Sequence, residues 1–438
     1  MIIEQHYDDE VLIDLLEEAE EDTHVPVCDT CTGTLQSYRD LSAALHDNSV
    51  WDERDLSEMP KPETTNFLRA FADRTRAEDA AASAIVPKLI ANPALIDQHV
   101  EWRTAGVVRG LLAVVEEKNF TEPKVAEETA ALAVRVADSL EAGQYPFDTV
   151  TKLRATAWGE HAYALYYIGS YNESLQALDQ TDELLSKCKV SDFDSAQTAL
   201  HRAQVYGELE RLDDAIALSD AAADIFRRFG NVGRVAAADA TKATLLMSAR
   251  RYAEALAIHQ RLAENPGIDE WSRALAVYHT AMCYRELSQF SRAKTLFAQS
   301  VTEFERLGRA ALRAKALWSL GSVFALEQHY SQALELFTQV RHEFQELGMS
   351  EDLALASVDA AEALVMLDRP VEVIGLCQAA MEYFTKAGLA YTQGALTALA
   401  YLKEAAAARK LTPARFGELR AFFELLPKRP ELLFAHPV

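Results

Sequence analysis

Glycine and proline are scarce in this chain, 17 and 13 residues out of 438. A fold of many short strands needs those residues to punctuate its turns, so a β-rich architecture is excluded and the remainder, rich in Ala, Leu and Glu, reads as helical. No stretch reaches the roughly 18 uninterrupted apolar residues of a membrane span. The nearest, GVVRGLLAVVEE, is broken by charge. The N-terminus also lacks the basic start and apolar run of a secretory leader, so a cytoplasmic protein with no membrane partner is expected. Positive charge is short, with 43 Lys and Arg against 67 Asp and Glu, a formal net charge of -24. Such a surface repels nucleic-acid phosphates, which argues against direct nucleic-acid binding, and favours basic partners. Catalytic motifs are missing too: there is no HExxH pair, no GxSxG elbow, no Walker loop and no GxGxxG. The expectation is a protein that is not an enzyme.

What is present is periodic. The chain exceeds the roughly 250 to 300 residues at which single cores stop growing, so a modular or repeating body is expected. An aromatic or apolar residue followed three positions later by a small one recurs at Tyr171/Ser174, Leu212/Ala215, Tyr252/Ala255, Phe290/Ala293 and Tyr330/Ala333, and in degenerate form at Pro370/Val373. Successive first members lie 41, 40, 38, 40 and 40 residues apart. Nine residues before each stands a small residue, Ala162, Ala203, Ala243, Ala281, Gly321 and Ala361. Six residues before stands a large one, Leu165, Tyr206, Leu246, Tyr284, Phe324 and Leu364. A further Phe-x-x-x-Gly recurs at Phe226/Gly230, Phe304/Gly308, Phe344/Gly348 and Phe384/Gly388, where phenylalanine should pack on the next unit and glycine should end a helix in the left-handed conformation.

This pattern resembles the tetratricopeptide repeat, a helix-turn-helix unit whose small residues let helices A and B approach. The unit here is longer than the usual 34 residues, like those of kinesin light chains and bacterial signalling regulators. The resemblance implies an all-α solenoid over residues 151–390, preceded by a helical region with a divergent first repeat over 66–150, in which Pro123 opens a helix, and followed by capping helices over 391–438. It also implies a protein-binding groove on the A helices. The family's groove positions fall on Tyr163, Tyr166, Tyr167, Tyr278, Arg285, Lys315 and Trp318. Aromatic and arginine residues are frequent at interfaces and are also frequent fillers between helices. The carboxylate clamp of chaperone-binding members is not reproduced, since Gly159, Ala240 and Thr244 stand at its positions.

The front of the chain differs. Residues 1–38 contain no Lys or Arg, while Glu4, Asp8, Asp9, Glu10, Asp14, Glu17, Glu18, Glu20, Glu21 and Asp22 crowd together. Such a run is either a solvated face or an electrostatic docking surface. Of five cysteines, Cys188, Cys283 and Cys377 stand alone in helical stretches and read as small core fillers. Cys28 and Cys31 follow His24 as His-x3-Cys-x2-Cys. That spacing gathers three zinc ligands and asks for a fourth, with His6 a candidate beyond the run Val11, Leu12, Leu15 and Leu16. A redox pair would want a βαβ context, and two unrelated thiols are the plain alternative. The constellation resembles the zinc-binding anti-sigma domain of bacteria. That likeness implies a head over residues 1–47 in which His6, His24, Cys28 and Cys31 hold Zn and which clasps a sigma factor or another basic regulator, joined by a linker over 48–65. His6 precedes His24 by 18 residues, a shorter gap than the family's usual one. The combined expectation is a bacterial regulatory adaptor whose zinc head sequesters a sigma factor and whose repeat body binds a second protein. The alternative is a repeat scaffold that assembles signalling or enzyme complexes around a purely structural zinc finger.

Overall fold

The computed structural model describes residues 62–119, 122–141, 145–189 and 191–435, with side chains from residue 72 onward. The anti-sigma-like segment with His6, His24, Cys28 and Cys31 lies outside the described residues. The chain divides into two compact units, residues 1–77 and 78–438.

Among the described residues every long element is a helix. In chain order they are α1 (Pro62–Ala91), the short α2 (Leu95–Gln98), α3 (Ala105–Lys118), α4 (Pro123–Asp138), α5 (Phe147–Tyr167), α6 (Tyr171–Leu185), α7 (Asp192–Glu208), α8 (Leu212–Arg228), α9 (Val232–Ser248), α10 (Tyr252–Ala263), α11 (Glu270–Glu286), α12 (Phe290–Arg306), α13 (Ala310–Leu326), α14 (Tyr330–Glu346), α15 (Ser350–Met366), α16 (Pro370–Ala387), α17 (Thr392–Ala407) and α18 (Pro413–Leu425). Helix α1 begins at Pro62, inside the stretch expected as a linker, because proline is favoured in the first turn of a helix, where its missing N–H costs nothing.

The six sequence markers fall on the first residues of α6, α8, α10, α12, α14 and α16, the B helices of successive pairs. The small residues three positions into them are fully buried, as are their partners Ala162, Ala203, Ala243, Ala281 and Ala361 on the A helices. Gly321 holds the same place in α13, where an added Cβ would lie 2.9 Å from the Phe337 ring. Only glycine allows that ring to sit between α13 and α14. The phenylalanines of the Phe-x-x-x-Gly motif, Phe226, Phe304, Phe344 and Phe384, have no exposed surface. Burial of each stabilises the stack by about 2 to 3 kcal/mol.

Two kinds of turn alternate. From a B helix to the next A helix the chain passes through Gly230, Gly308, Gly348 and Gly388 with φ between +60° and +70°, as the motif predicts. From A to B within a pair, the same left-handed position is filled by Gly169 once and otherwise by Glu210, Arg250, Ser288, Gln328 and Asp368. Each such turn closes by a backbone N–H bonding the carbonyl five residues back, for example Gln289 N to Tyr284 O at 2.8 Å and His329 N to Phe324 O at 2.8 Å. The carbonyl acceptors are the large residues of the repeat, so one position both fills the pair and ends its helix. A non-glycine residue in that conformation costs about 1 kcal/mol, offset by the satisfied helix-end carbonyls.

The A helices α5, α7 and α9, and likewise α11, α13 and α15, pack on one another, whereas successive B helices stay further apart. The A face is therefore the inner, concave side. The last helix leaves the pattern. Instead of pairing closely with α17, α18 packs mainly on α15, burying Phe416, Leu419, Phe423 and Leu426. It lies across the inner face at the C-terminal end. Among the described residues no helix is long and apolar enough to cross a membrane.

Candidate functional site

Counting eleven residues back from each B-helix start gives one inward register on the A helices: Glu160, His201, Thr241, His279, Ser319 and Asp359. All six are polar. The two ends of this stripe are in different states.

At the C-terminal end the stripe is covered. Arg420 of α18 donates to Asp359 Oδ1 at 2.7 Å and to Glu362 Oε2, and Trp318 Nε1 donates to the other oxygen of Asp359 at 2.8 Å. Both carboxylates hold the Arg420 guanidinium charged and raise its pKa against the cost of burial. Farther along, Lys428 lies 3.4 Å from Glu208 at the end of α7.

At the N-terminal end lies an open cleft of about 610 Å³ between α3, α5, α7 and α9. The Tyr163 ring stacks on His201 with centroids 4.4 Å apart and planes 8° apart. Its hydroxyl meets that of Tyr167 at 2.9 Å, and Tyr166 packs edge-on to Tyr167. Burial pushes all three above the usual tyrosine pKa, furthest for Tyr166 and Tyr167, so they remain neutral hydrogen-bonding groups. The Gln197 amide nitrogen sits 2.8 Å from His201 Nε2. The amide donates there, so the imidazole proton is on Nδ1. Burial, then the charge of Arg234, lower His201 to about 4. It is a neutral ring near pH 7.

Several buried polar atoms along this cleft have no partner among the described residues: Asn119 Oδ1, Gln197 Oε1 and His201 Nδ1. Asn119 is 2% exposed and His201 7%. Leaving such a group unsatisfied costs about 1 to 3 kcal/mol. Burial raises the Glu160 carboxyl, Glu116 raises it further, and Arg234 opposes both.

The sequence-derived groove residues have different surroundings. Tyr163, Tyr166 and Tyr167 form the aromatic group at the open end. Tyr278 is buried between α11 and α13, with its hydroxyl 3.2 Å from Ser319 Oγ. Arg285 pairs with its neighbour Glu286 at 2.8 Å and Lys315 with Asp352 at 3.2 Å, while Trp318 is engaged by Asp359. Asn119, Glu160, Gln197 and His201 were not singled out as groove residues from sequence. The register count would have found Glu160 and His201, because a polar residue recurs there in every pair. Among the described residues no group of three or more His, Cys, Asp or Glu is placed to hold a metal ion.

No protein-family model matches the chain, and no curated protein matches it in sequence. Among solved structures, the apo form of the quorum sensor NprR from B. thuringiensis aligns with a TM-score of 0.54 at 13% identity, covering 82% of this chain and 99% of that one. A Rap protein complexed with competence and sporulation factor aligns at 0.48 and 13% identity over 80% and 100%. Aspartyl phosphate phosphatase F from Bacillus subtilis aligns at 0.44 and 12% over 76% and 97%. At such identity the likeness to NprR is one of fold, and the chain is a tetratricopeptide-like helical repeat protein.

Proposed function

We propose that the chain is a regulatory protein-binding adaptor whose inner groove holds a segment of a partner protein at its open N-terminal end. The observation that carries this reading is the pairing of a stacked tyrosine and histidine wall with buried polar atoms that have no partner among the described residues. Aromatic faces supply contact area at low entropic cost, and unsatisfied donors and acceptors are completed by a bound backbone or side chain. The fold shared with a quorum sensor is consistent with a regulatory role, and no catalytic step is part of the reading.

The front segment adds a second activity to the proposal. His6, His24, Cys28 and Cys31 bind one zinc ion, and the module so formed captures a sigma factor or a similarly basic regulator, aided by the acidic run at its start. Two measurements on the full chain test the two halves. Elemental analysis should return zinc that is lost in Cys28→Ala and Cys31→Ala, with capture of sigma factor lost alongside it. Partner capture by the groove should fall in Tyr163→Ala while zinc content stays constant. A metal-free protein that captures no sigma factor would end the first half, and groove capture indifferent to Tyr163→Ala would end the second.

A further inference from the structure

The two ends of the inner stripe stand in the same register, so the occupied end shows what the empty end is built to receive. Asp359 and Glu160 each lie eleven residues before the start of their B helix, at Pro370 and Tyr171. At the first, a carboxylate beside an aromatic ring, Trp318, holds an arginine supplied from outside the pair, Arg420. At the second, a carboxylate with an aromatic residue, Tyr163, one turn away faces the open cleft.

We propose that this cleft is an arginine-acceptor site: Glu160, with Glu116 beside it, binds the guanidinium of an arginine carried by a partner protein. This deepens the protein-binding reading of the groove and rests on it. Three observations favour a cation of this shape. Among the unpartnered buried atoms at the cleft, Asn119 Oδ1 and Gln197 Oε1 are oxygens, which require a donor. A guanidinium offers five N–H donors in a planar fork, so it can meet a carboxylate and neighbouring carbonyl oxygens together, and it stacks on aromatic rings, which an ammonium does less well. The charge balance points the same way. Of the charged groups on the walls, Arg109 is engaged by Asp79 at 2.7 Å and Asp194 by Lys152 at 3.0 Å. Glu116 and Glu160 then face Arg234 alone, leaving one negative charge in excess. His201 adds no positive charge, since it stacks on Tyr163 as a neutral ring.

The test titrates the full chain by calorimetry with acetyl-Phe-Arg-Leu-amide and with analogues carrying Lys, Gln or Glu in place of Arg. The arginine peptide should bind at least about tenfold tighter than the glutamine one, the effect of one charge-assisted hydrogen bond. The preference should vanish in Glu160→Gln. It should persist in Glu305→Gln, which removes the same charge from the exposed surface of the outer helix α12. Equal binding of all four peptides, lost in Tyr163→Ala, would overturn the arginine site and leave the groove as a peptide-binding surface. Binding of none, or an arginine preference indifferent to Glu160→Gln, would overturn it too, and the groove would then depend on its own capture experiment.

Discussion

The two ends of the groove are made from the same repeat and differ in what completes them. At the C-terminal end the chain supplies its own ligand: α18 and the Leu426 that follows it bring four buried apolar side chains and one arginine, and every polar group of Asp359 that faces inward is engaged. At the N-terminal end no segment of the described chain plays that part, and Asn119, Gln197 and His201 keep unsatisfied buried atoms. A solenoid must cover its last apolar face to remain monomeric and soluble. It has no comparable need at a concave polar stripe, which can be left open as a binding surface.

The filled end can be broken most severely through its apolar anchor. Leu419→Ala removes a side chain with no exposed surface and should cost about 3 kcal/mol. The loss should be local: amide exchange should accelerate in α18 and residues 427–435, measured by hydrogen-exchange mass spectrometry, while α5 to α9 keep wild-type protection. Uniform acceleration across the chain would mean that α18 is integral to the stack and no occupant of its groove. Arg420→Ala attacks the polar half of the same contact. It should cost about 2 kcal/mol in urea unfolding, because Asp359 and Glu362 then face each other without their cation. Asp359→Asn combined with Glu362→Gln should recover part of that loss.

Between the two ends, α10 carries a histidine where α12 and α14 carry Phe297 and Phe337, each seven residues into its helix. His259 is 1% exposed, neither ring nitrogen has a partner among the described residues, and its ring lies 4.9 Å from that of His279. Burial, then repulsion from His279, lower it to about 3. The unfolded chain therefore takes up this proton near pH 6.5 and the folded one only near 3, so stability is complete above 6.5 and drains as pH falls through that window. His259→Phe should exceed the wild type by about 2 kcal/mol at pH 5, in denaturant titrations repeated from pH 7 to 4, since each pH unit below 6.5 is worth about 1.4 kcal/mol. An identical pH dependence in the two proteins would show that the imidazole reaches solvent when charged.

The smallest effect belongs to the open end. Burial and Glu116 raise the Glu160 carboxyl, so the folded state resists losing this proton and is penalised once pH rises above the ordinary carboxylate range. Glu160→Gln should stabilise the protein slightly at pH 7 and leave it unchanged at pH 4, where both states hold the proton. Loss of stability at pH 7 would show that the carboxylate is already satisfied by Arg234.

The helical pairs were legible because their constraints are local and repeated. A small residue at Ala203 or Ala281, a large one at Tyr206 or Tyr284 and a B-helix start at Leu212 or Phe290 stand at fixed offsets. Steric fit between two helices permits few other residue types there. The Phe-x-x-x-Gly turns were legible for the same reason. The A-to-B turns were not, because Glu210, Arg250, Ser288, Gln328 and Asp368 carry no glycine signal and are held at positive φ by the hydrogen bonds of the closed turn. Three of them precede an Arg that pairs with an acid three residues on, Arg211 with Asp214, Arg251 with Glu254 and Arg369 with Glu372. That spacing is visible in sequence once the turn is known.

By itself the amino-acid order determined an all-helical stack of paired helices with a repeat near 40 residues, since side-chain size at fixed intervals dictates how neighbours in sequence pack. Which inward residues share a site, and which are already taken, was decided by tertiary structure alone. Glu160 meets Glu116 and Arg234 across three helices, and Arg420 reaches Asp359, which lies 61 positions earlier in the chain. Those meetings depend on the curvature accumulated over several repeats and on the crossing of one terminal helix, quantities that no local residue pattern encodes.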